Sequence, residues 1–481
     1  MKRRTFLRNL GFQAAALTFG AGLASGAEKK KPNFVFFITD DISPQDLGFY
    51  GNQHVKTPNL DRAAKQSLVF DNAYLTISSC SPSRCSIITG RYPHNTGAPE
   101  LHTPLPKQQH TFMQEFHNAG YYTALAGKNH MGRKESLGFD LVVDSRPSGS
   151  EKWMDVLKGR PKDKPFFMWF ASHDAHRAWQ INDKAPKYER EDVNIPPMMY
   201  DGPAARGNLA GYYHEVSRTD HYAGKVLEEL KRQGELENTY FIYTADNGRP
   251  FIRCKNYMYD SGIKTPLLIK GPGVKQGRTD SLVSSVDYAA TFLELAGLKK
   301  PETVQGVSFA RTLSNHQHQS RDVAFAERNW HVYKLHERMV RTGDWLYIWN
   351  AYPGEYNVCG ESSSYGFEDV KEFWKAAEEG KLTVNQMKVT KKEQPEEQLF
   401  NVREDPHQFC DRSKDPACKE IMNKMRSLLD RWKKQTGDSV PKNPTPDRGT
   451  LHHNGKMGKR GDFPGAANNA TEINHPGPIK L

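Results

Sequence analysis

Four short stretches of the chain are apolar and rich in aromatic or β-branched residues, and each stops at a cluster of polar side chains. Residues 34–38 run into Thr39-Asp40-Asp41, and residues 121–126 into Gly127-Lys128-Asn129-His130. Residues 165–170 end near His173-Asp174-Ala175-His176, and residues 239–244 at Ala245-Asp246-Asn247-Gly248. Runs this short and this apolar read as strands buried on both faces, the pattern of a parallel sheet. Helical periodicity lies between them, at residues 212–231 and 287–296. Strand and helix in alternation predict an α/β fold, a mostly parallel sheet flanked by helices. Open sheets of this kind bind ligands at the carboxyl ends of their strands. Four strand ends would therefore deliver Asp, Lys, His and Asn to one rim.

The pattern changes near residue 320. Residues 338–349 and 398–402 read as short strands and residues 417–436 as a helix, which predicts a smaller α+β C-terminal domain on a short antiparallel sheet. Residues 441–481, rich in Pro, Gly, Asn and His, lack apolar periodicity and read as an extended or disordered tail. At 481 residues the chain exceeds one compact core. The expected division is 32–319 for the large domain and 320–440 for the small one. Internal repeats are not evident.

Residues 1–27 read as an address. Lys2, Arg3, Arg4 and Arg8 precede the mildly apolar residues 14–23 and the small residues Ser25-Gly26-Ala27. The arginine pair before Phe6-Leu7 resembles a twin-arginine export signal, with a general secretory signal or an uncleaved anchor as alternatives. The expected location is exported, periplasmic or extracellular. No later apolar run is long enough to span a bilayer, so stable membrane insertion is not expected. The formal net charge is +11, and +7 without the four basic residues of that segment (11 − 4). Such a surface suits a polyanion, but the basic residues are scattered without a nucleic-acid-binding motif, so nucleic acid is not an expected partner. Six cysteines are too few for a disulfide scaffold at this length, although Cys410 and Cys418 are close enough in sequence to pair.

Cys80-Ser81-Pro82-Ser83-Arg84 opens a stretch that continues to Thr89-Gly90-Arg91. Pro82 fits the first turn of a helix running through Ile88. That helix would put Cys80 at its N-terminus, where unpaired N–H groups favour an anion, with Arg84 one turn on. A nucleophile beside such a terminus and a guanidinium suits attack on a tetrahedral oxyanion. Asp40, Asp41, Asp246 and Asn247 form a hard-oxygen set of the kind that takes calcium or magnesium rather than zinc. Lys128 supplies fixed positive charge, and His130 a proton-handling group.

The Cys-x-Pro-Ser-Arg segment followed by Thr-Gly resembles the signature of type I sulfatases in the alkaline phosphatase superfamily. The resemblance implies that Cys80 is oxidised by a formylglycine-generating enzyme to formylglycine (3-oxoalanine). The hydrate of that aldehyde attacks sulfur, the alcohol or amine leaves, and sulfate is then expelled. It also implies one calcium ion held by Asp40, Asp41, Asp246, Asn247 and an oxygen of the modified Cys80, and an alkaline-phosphatase-like mixed sheet. Gly-Lys-x-His of the same family assigns Lys128 and His130 to the sulfate site. His176 matches the leaving-group acid, with Ala175 in place of the usual proline and His173 as a competing candidate. A basic residue after Asp246-Asn247-Gly248 is implied to reach the sulfate, Lys255 or else Arg253. Residues 89–97, His173 to Arg177 and the spacing after Asp246 resemble the heparan N-sulfatase (sulfamidase) branch. His94 and His331, together with His102 and Trp330, are candidates for the substrate pocket.

The expected activity is hydrolysis of a sulfate ester or sulfamate on a sulfated carbohydrate, glycosaminoglycan-like or another sulfated polysaccharide. N- and O-sulfatase readings stay open, because both use one sulfate pocket. Two other classes also stay open: a phosphonate or phosphate hydrolase of the same superfamily, and a non-catalytic polyanion-binding protein.

Overall fold

The computed structural model describes residues 30–364, 366–474 and 479. The expected export signal lies outside the described residues.

Among the described residues twelve strands form two sheets. They are β1 (Asn33–Thr39), β2 (Leu68–Tyr74), β3 (Tyr122–Gly127), β4 (Leu141–Val143), β5 (Phe166–Ala171), β6 (Thr239–Ala245), β7 (Leu267–Lys270), β8 (Gly277–Ser284), β9 (Ala324–Arg328), β10 (Glu337–Thr342), β11 (Trp345–Asn350) and β12 (Glu397–Asn401). The first eight build one sheet in the order β4-β3-β5-β1-β6-β7-β2-β8. Its pairs are parallel except those made by β7, which runs against β6 and β2. The last four form an antiparallel sheet in the order β12-β11-β10-β9. The expected mixed, mostly parallel sheet and smaller antiparallel sheet are both present.

The central strands are apolar throughout because both faces are covered. Side chains alternate across a strand, and Val35 and Phe37 join one core while Phe34, Phe36 and Ile38 join another. The same division runs through β5, with Met168 and Phe170 on the first face and Phe167 and Trp169 on the second. The Pro203–Arg232 helix covers the first face through Leu209, Tyr212, Val216, Ala223 and Leu230. The Asp287–Leu295 and Cys80–Thr89 helices cover the second, through Tyr288, Ala289 and Phe292 and through Cys85, Ile87 and Ile88. Each Val, Leu, Ile, Phe or Met side chain among them contributes about 1.5–3 kcal/mol relative to exposure. A charged residue at Phe36 would forfeit that and bury an unpaired ion.

The small sheet is also covered twice. Phe325, Val340, Tyr347 and Leu399 pack under Met422, Met425, Leu429 and Trp432 of the Lys419–Thr436 helix. Ala326, Met339, Ile348 and Phe400 meet Tyr74, Leu75, Tyr257 and Leu282 on the other side. The described tail, residues 441–474, carries 3₁₀ turns at Ala466–Asn468 and Ala470–Glu472 but no α-helix or strand among the described residues. It lies against the body of the protein. Asn95 Nδ2 donates to Ala470 O at 2.7 Å, Arg460 Nη1 pairs with Glu100 Oε2 at 2.9 Å, and Trp330 Nε1 donates to Pro446 O at 2.8 Å. All six cysteines are free, including Cys410 and Cys418. Among the described residues no helix is long and apolar enough to cross a membrane.

Candidate active site

β3, β5, β1 and β6 are consecutive and parallel, so their carboxyl ends share one rim. Backbone bonds join the loops beyond them: Asp40 N donates to Asp174 O at 2.9 Å, Lys128 N to Ala171 O at 2.9 Å, and Asp246 N to Thr39 O at 3.0 Å. The strand ends thus deliver Asp40, Asp41, Lys128, His130, His176, Asp246 and Asn247 together.

Facing them is the N-terminus of the Cys80–Thr89 helix, with Ser79 as its cap residue. Cys80 is the first helical residue, and Ser83 N makes the opening helical bond to Ser79 O at 2.9 Å. The helix ends at Gly90 with φ 63°, where an added Cβ would lie 2.9 Å from Ala289 and Val304, so glycine is required there. Arg84 extends from the same helix. Its Nε donates to Asp246 Oδ2 at 2.7 Å and its Nη1 to Lys128 O at 3.1 Å, while Nη2 is buried without a hydrogen-bond partner.

The floor is dense in charge. Lys128 Nζ pairs closely with Asp40 Oδ2. Lys255 Nζ, fully buried, lies 2.8 Å from Asp41 Oδ1 and 2.5 Å from Glu361 Oε2. Burial alone would raise the Asp40 carboxyl, but Lys128, His176 and Arg84 outweigh it and hold it well below the usual carboxylate range. Burial pushes Asp41 up to about 7, against Lys255, and also raises Asp246. Burial would lower Lys255, but Asp41 and Glu361 hold it well above the usual lysine range. Burial pushes the Cys80 thiol up to about 12, so as an unmodified cysteine it is protonated at neutral pH and a weak nucleophile.

Carboxylate oxygens of Asp40, Asp41 and Asp246 lie within 4.8 Å of one another. Asp40 Oδ1 and Asn247 Oδ1 are buried without hydrogen-bond partners. Three clustered carboxylates and two orphaned hard oxygens fit a divalent cation of the calcium or magnesium type.

Around this floor stand the histidines. His130 Nε2 is 2.8 Å from His102 Nδ1, and its Nδ1 is buried and unpartnered. Burial, then Lys128 and His102, drives His130 down to about 2, so it is neutral. His331 Nδ1 is 2.7 Å from Ser79 Oγ, beside Cys80, and burial drives it down to about 3. His176 Nδ1 lies 2.6 Å from Arg177 O and its Nε2 lies 3.5 Å from Glu361 Oε2. A carbonyl only accepts, so Nδ1 carries a proton, and a carboxylate beside Nε2 favours a second one. Burial and Lys255 oppose that charge, but Asp41 and Glu361 outweigh them and raise His176.

The structure separates the competing candidates. His173 Nε2 is bonded to Asp144 Oδ1 at 2.8 Å on the cavity wall, whereas His176 meets the charged floor. Arg253 turns away, donating to His407 O and Gln408 O and stacking 3.5 Å from the Tyr259 ring centroid, which leaves Lys255 in the site. His94 does not line a substrate pocket. Its buried ring is bonded to Glu327 Oε1 at 2.6 Å and Thr436 O at 3.2 Å and packs against Trp432, so it braces the small sheet and its covering helix. Trp330 is likewise buried, bonded to the tail. Glu361 was not anticipated. It sits in an irregular segment without a motif, and its partners Lys255 and His176 are distant in sequence. A cavity of about 470 Å³ opens over Lys128, His130 and His176 to the exterior.

Residues 32–298 match the protein-family model described as Sulfatase, and residues 252–357 match that described as N-sulphoglucosamine sulphohydrolase, C-terminal. An ulvan-active sulfatase of Formosa agariphila is 27% identical over 468 residues, covering 85% of this chain and 76% of that protein. Human N-sulphoglucosamine sulphohydrolase is 31% identical over 320 residues, covering 58% of this chain and 64% of that protein. The fold also resembles that of a protein solved in complex with its substrate D-glucosamine-2-N,6-O-disulfate, with a TM-score of 0.66 at 21% identity, covering 84% of this chain and 98% of that one.

Proposed function

The chain belongs to the sulfatase family, and on that premise we propose that it releases inorganic sulfate from a sulfated sugar by hydrolysis of an ester or sulfamate bond at Cys80. The observation that carries this reading is the convergence of the Cys80 helix terminus with Arg84, Lys128, Lys255 and the three aspartates on one rim.

A formylglycine made from Cys80 would supply the oxygen nucleophile, and a calcium ion held by Asp40, Asp41, Asp246 and Asn247 would supply charge to it and to a sulfate oxygen. Arg84, with Nη2 uncommitted, Lys128 and Lys255 bind and orient the sulfate oxygens. The first-turn N–H groups of the Cys80 helix add positive potential where negative charge grows. His130, neutral and with Nδ1 free, accepts a hydrogen bond on the nucleophile side and so orients the nucleophile. His176, with Nδ1 donating to Arg177 O and its protonated form favoured by Asp41 and Glu361, donates from Nε2 to the departing oxygen or nitrogen. His331 braces Ser79, and with it the helix terminus.

The proposal includes export through residues 1–27, maturation by a formylglycine-generating enzyme, and a division into a catalytic part, 32–319, and a C-terminal part, 320–440. The match to the sulphohydrolase C-terminal model supports a sulfamate substrate, and the likeness to the ulvan-active sulfatase supports a polysaccharide ester. Sulfate release from N- and O-sulfated sugars, measured with protein from its native host and with Cys80→Ala, decides both points. Turnover in the first and none in the second is the expected result. No turnover on any sulfated sugar, with phosphonate esters cleaved instead, would replace this reading.

A further inference from the structure

The cavity over the reacting centre is larger than the sulfate site needs, and its outer wall is chemically distinct. Its lining includes Lys128, His130 and His176, which adjoin the buried carboxylates and mark its inner end, and Asp144, Arg146 and His173, of which Asp144 and Arg146 are exposed and mark its outer end. At about 470 Å³ it is in the size range of pockets that enclose a whole small ligand, roughly 300–1,000 Å³. A sugar bearing the scissile sulfate at the inner end would therefore present further substituents, or its next ring, to the outer wall.

Most charges on that wall are already committed. Arg177 is held by Asp369 through two bonds of 2.7 and 2.6 Å. Asp174 and Glu215 are held by Arg218. Asp144 accepts from His173 Nε2 at 2.8 Å. That bond leaves His173 Nδ1 as an acceptor, and Arg146 Nη1 donates to it at 3.3 Å. Arg146 is the exception. Its one carboxylate neighbour, Asp144 Oδ2, is 3.8 Å away, and its side chain is 71% exposed. A guanidinium has five N–H donors in a planar fork. Arg146 spends one on His173, which steadies it, and no other hydrogen bond to the protein engages the rest of this cavity-lining side chain among the described residues.

We propose that Arg146, steadied by His173 and Asp144, anchors a second anion subsite that binds an oxyanion of the substrate other than the scissile sulfate, either a further sulfate or a uronate carboxylate. This rests on the sulfatase reading of the inner site. The subsite makes the enzyme selective for substrates carrying two negative groups, and a planar fork favours a bidentate oxyanion over a point contact.

The test compares three substrates: glucosamine N-sulfate, D-glucosamine-2-N,6-O-disulfate, and an N-sulfated glucosamine linked to a uronic acid. Each is assayed with the active enzyme, Arg146→Ala and Arg146→Lys. The quantity read is kcat/KM for each two-anion substrate divided by that for the one-anion sugar. The ratio is expected to fall roughly tenfold in Arg146→Ala, the scale of one charged hydrogen-bonding contact. Most of the fall is expected in KM, with partial recovery in Arg146→Lys. The disulfate and uronate arms show which oxyanion the subsite takes. Ratios that stay within twofold in both arms overturn the subsite. Should the native enzyme release no sulfate from these three sugars or from O-sulfated ones, the functional reading fails; in that case, or where only O-sulfated sugars are cleaved, dissociation constants for the same three ligands in Cys80→Ala, with and without Arg146→Ala, decide the subsite alone. A selective loss of affinity for the two-anion ligands sustains it, and equal losses overturn it.

Discussion

Around Arg338 the protein buries charge as deeply as it does around Cys80, but there it pairs nearly all of it. Arg338 Nε and Nη2 both reach Asp438 at 2.7 Å, and Nη1 donates to Asn329 Oδ1 at 3.0 Å. Asn329 Nδ2 donates to Glu327 Oε2 at 2.9 Å, and Glu327 Oε1 takes His94 at 2.6 Å. The floor beneath the cavity contains equally buried ions, yet Asp40 Oδ1, Asn247 Oδ1, Arg84 Nη2, His130 Nδ1 and His331 Nε2 lack partners. A folded chain rarely leaves buried polar atoms unsatisfied without a ligand or a role to account for them. Burial of charge therefore does not distinguish the two clusters. Incomplete pairing does: the Arg338 cluster leaves His336 Nε2 without a partner, whereas the floor leaves five side-chain atoms open, the pattern expected of a cluster that takes ligands.

The largest effect that separates them is on rate. Cys80→Ala is expected to lower kcat/KM by about 10⁴-fold or more, as loss of a nucleophile does, with little change in the denaturation midpoint. A variant that keeps more than a few per cent of activity would detach Cys80 from the chemistry. The opposite pattern is expected of Asp438→Ala. It leaves Arg338 buried without its carboxylate, at a cost of about 3–5 kcal/mol in denaturant unfolding, while the folded fraction turns over normally. An active-site effect without destabilisation would collapse the contrast.

These two residues also show what sequence reading reaches. Cys80 and Arg84 are one helical turn apart, and Asp40, Lys128 and Asp246 each follow an apolar run, so local pattern placed them on one rim. Glu361 is invisible to such reasoning, because its partners Lys255 and His176 are brought to it by the fold. His94 was misplaced for the same reason. Beside the Cys80 signature it reads as a pocket residue, but Glu327 and Trp432, from distant segments, enclose it. β1, β3, β5 and β6 were legible because both of their faces are buried. β7 and β4 are short, and β8 is exposed over much of its first half, so their apolar signal is weak.

Calcium sharpens the comparison at a smaller scale. At a free concentration of 100 times its dissociation constant it is expected to stabilise the protein by about 2.7 kcal/mol, reversed by chelation. Asp40→Asn is expected to abolish that shift and Asp438→Asn to leave it intact. A calcium response unaffected by Asp40→Asn would place the cation elsewhere.

The smallest effect is one the clusters share. His331 titrates near 3 in the folded chain, depressed from 6.5 by burial, and burial beside Arg338 likewise depresses His336. A depressed histidine takes up protons more readily when unfolded. The stability it confers by staying neutral is present above pH 6.5 and is lost as the pH falls below that value. From pH 7 to 5 the expected loss is about 2 kcal/mol for His331. Urea unfolding across that range should show it, and His331→Gln should flatten the slope. An unchanged slope would show that His331 titrates normally.

The central claim, that the incompletely paired cluster is a sulfatase centre built on Cys80, is tested most directly by the mass of the peptide containing Cys80 from active protein made in its native host. The expected mass is about 18 Da below that of the unmodified cysteine peptide, the change from thiol to aldehyde. An unmodified thiol in protein that turns over sulfated sugars would contradict it.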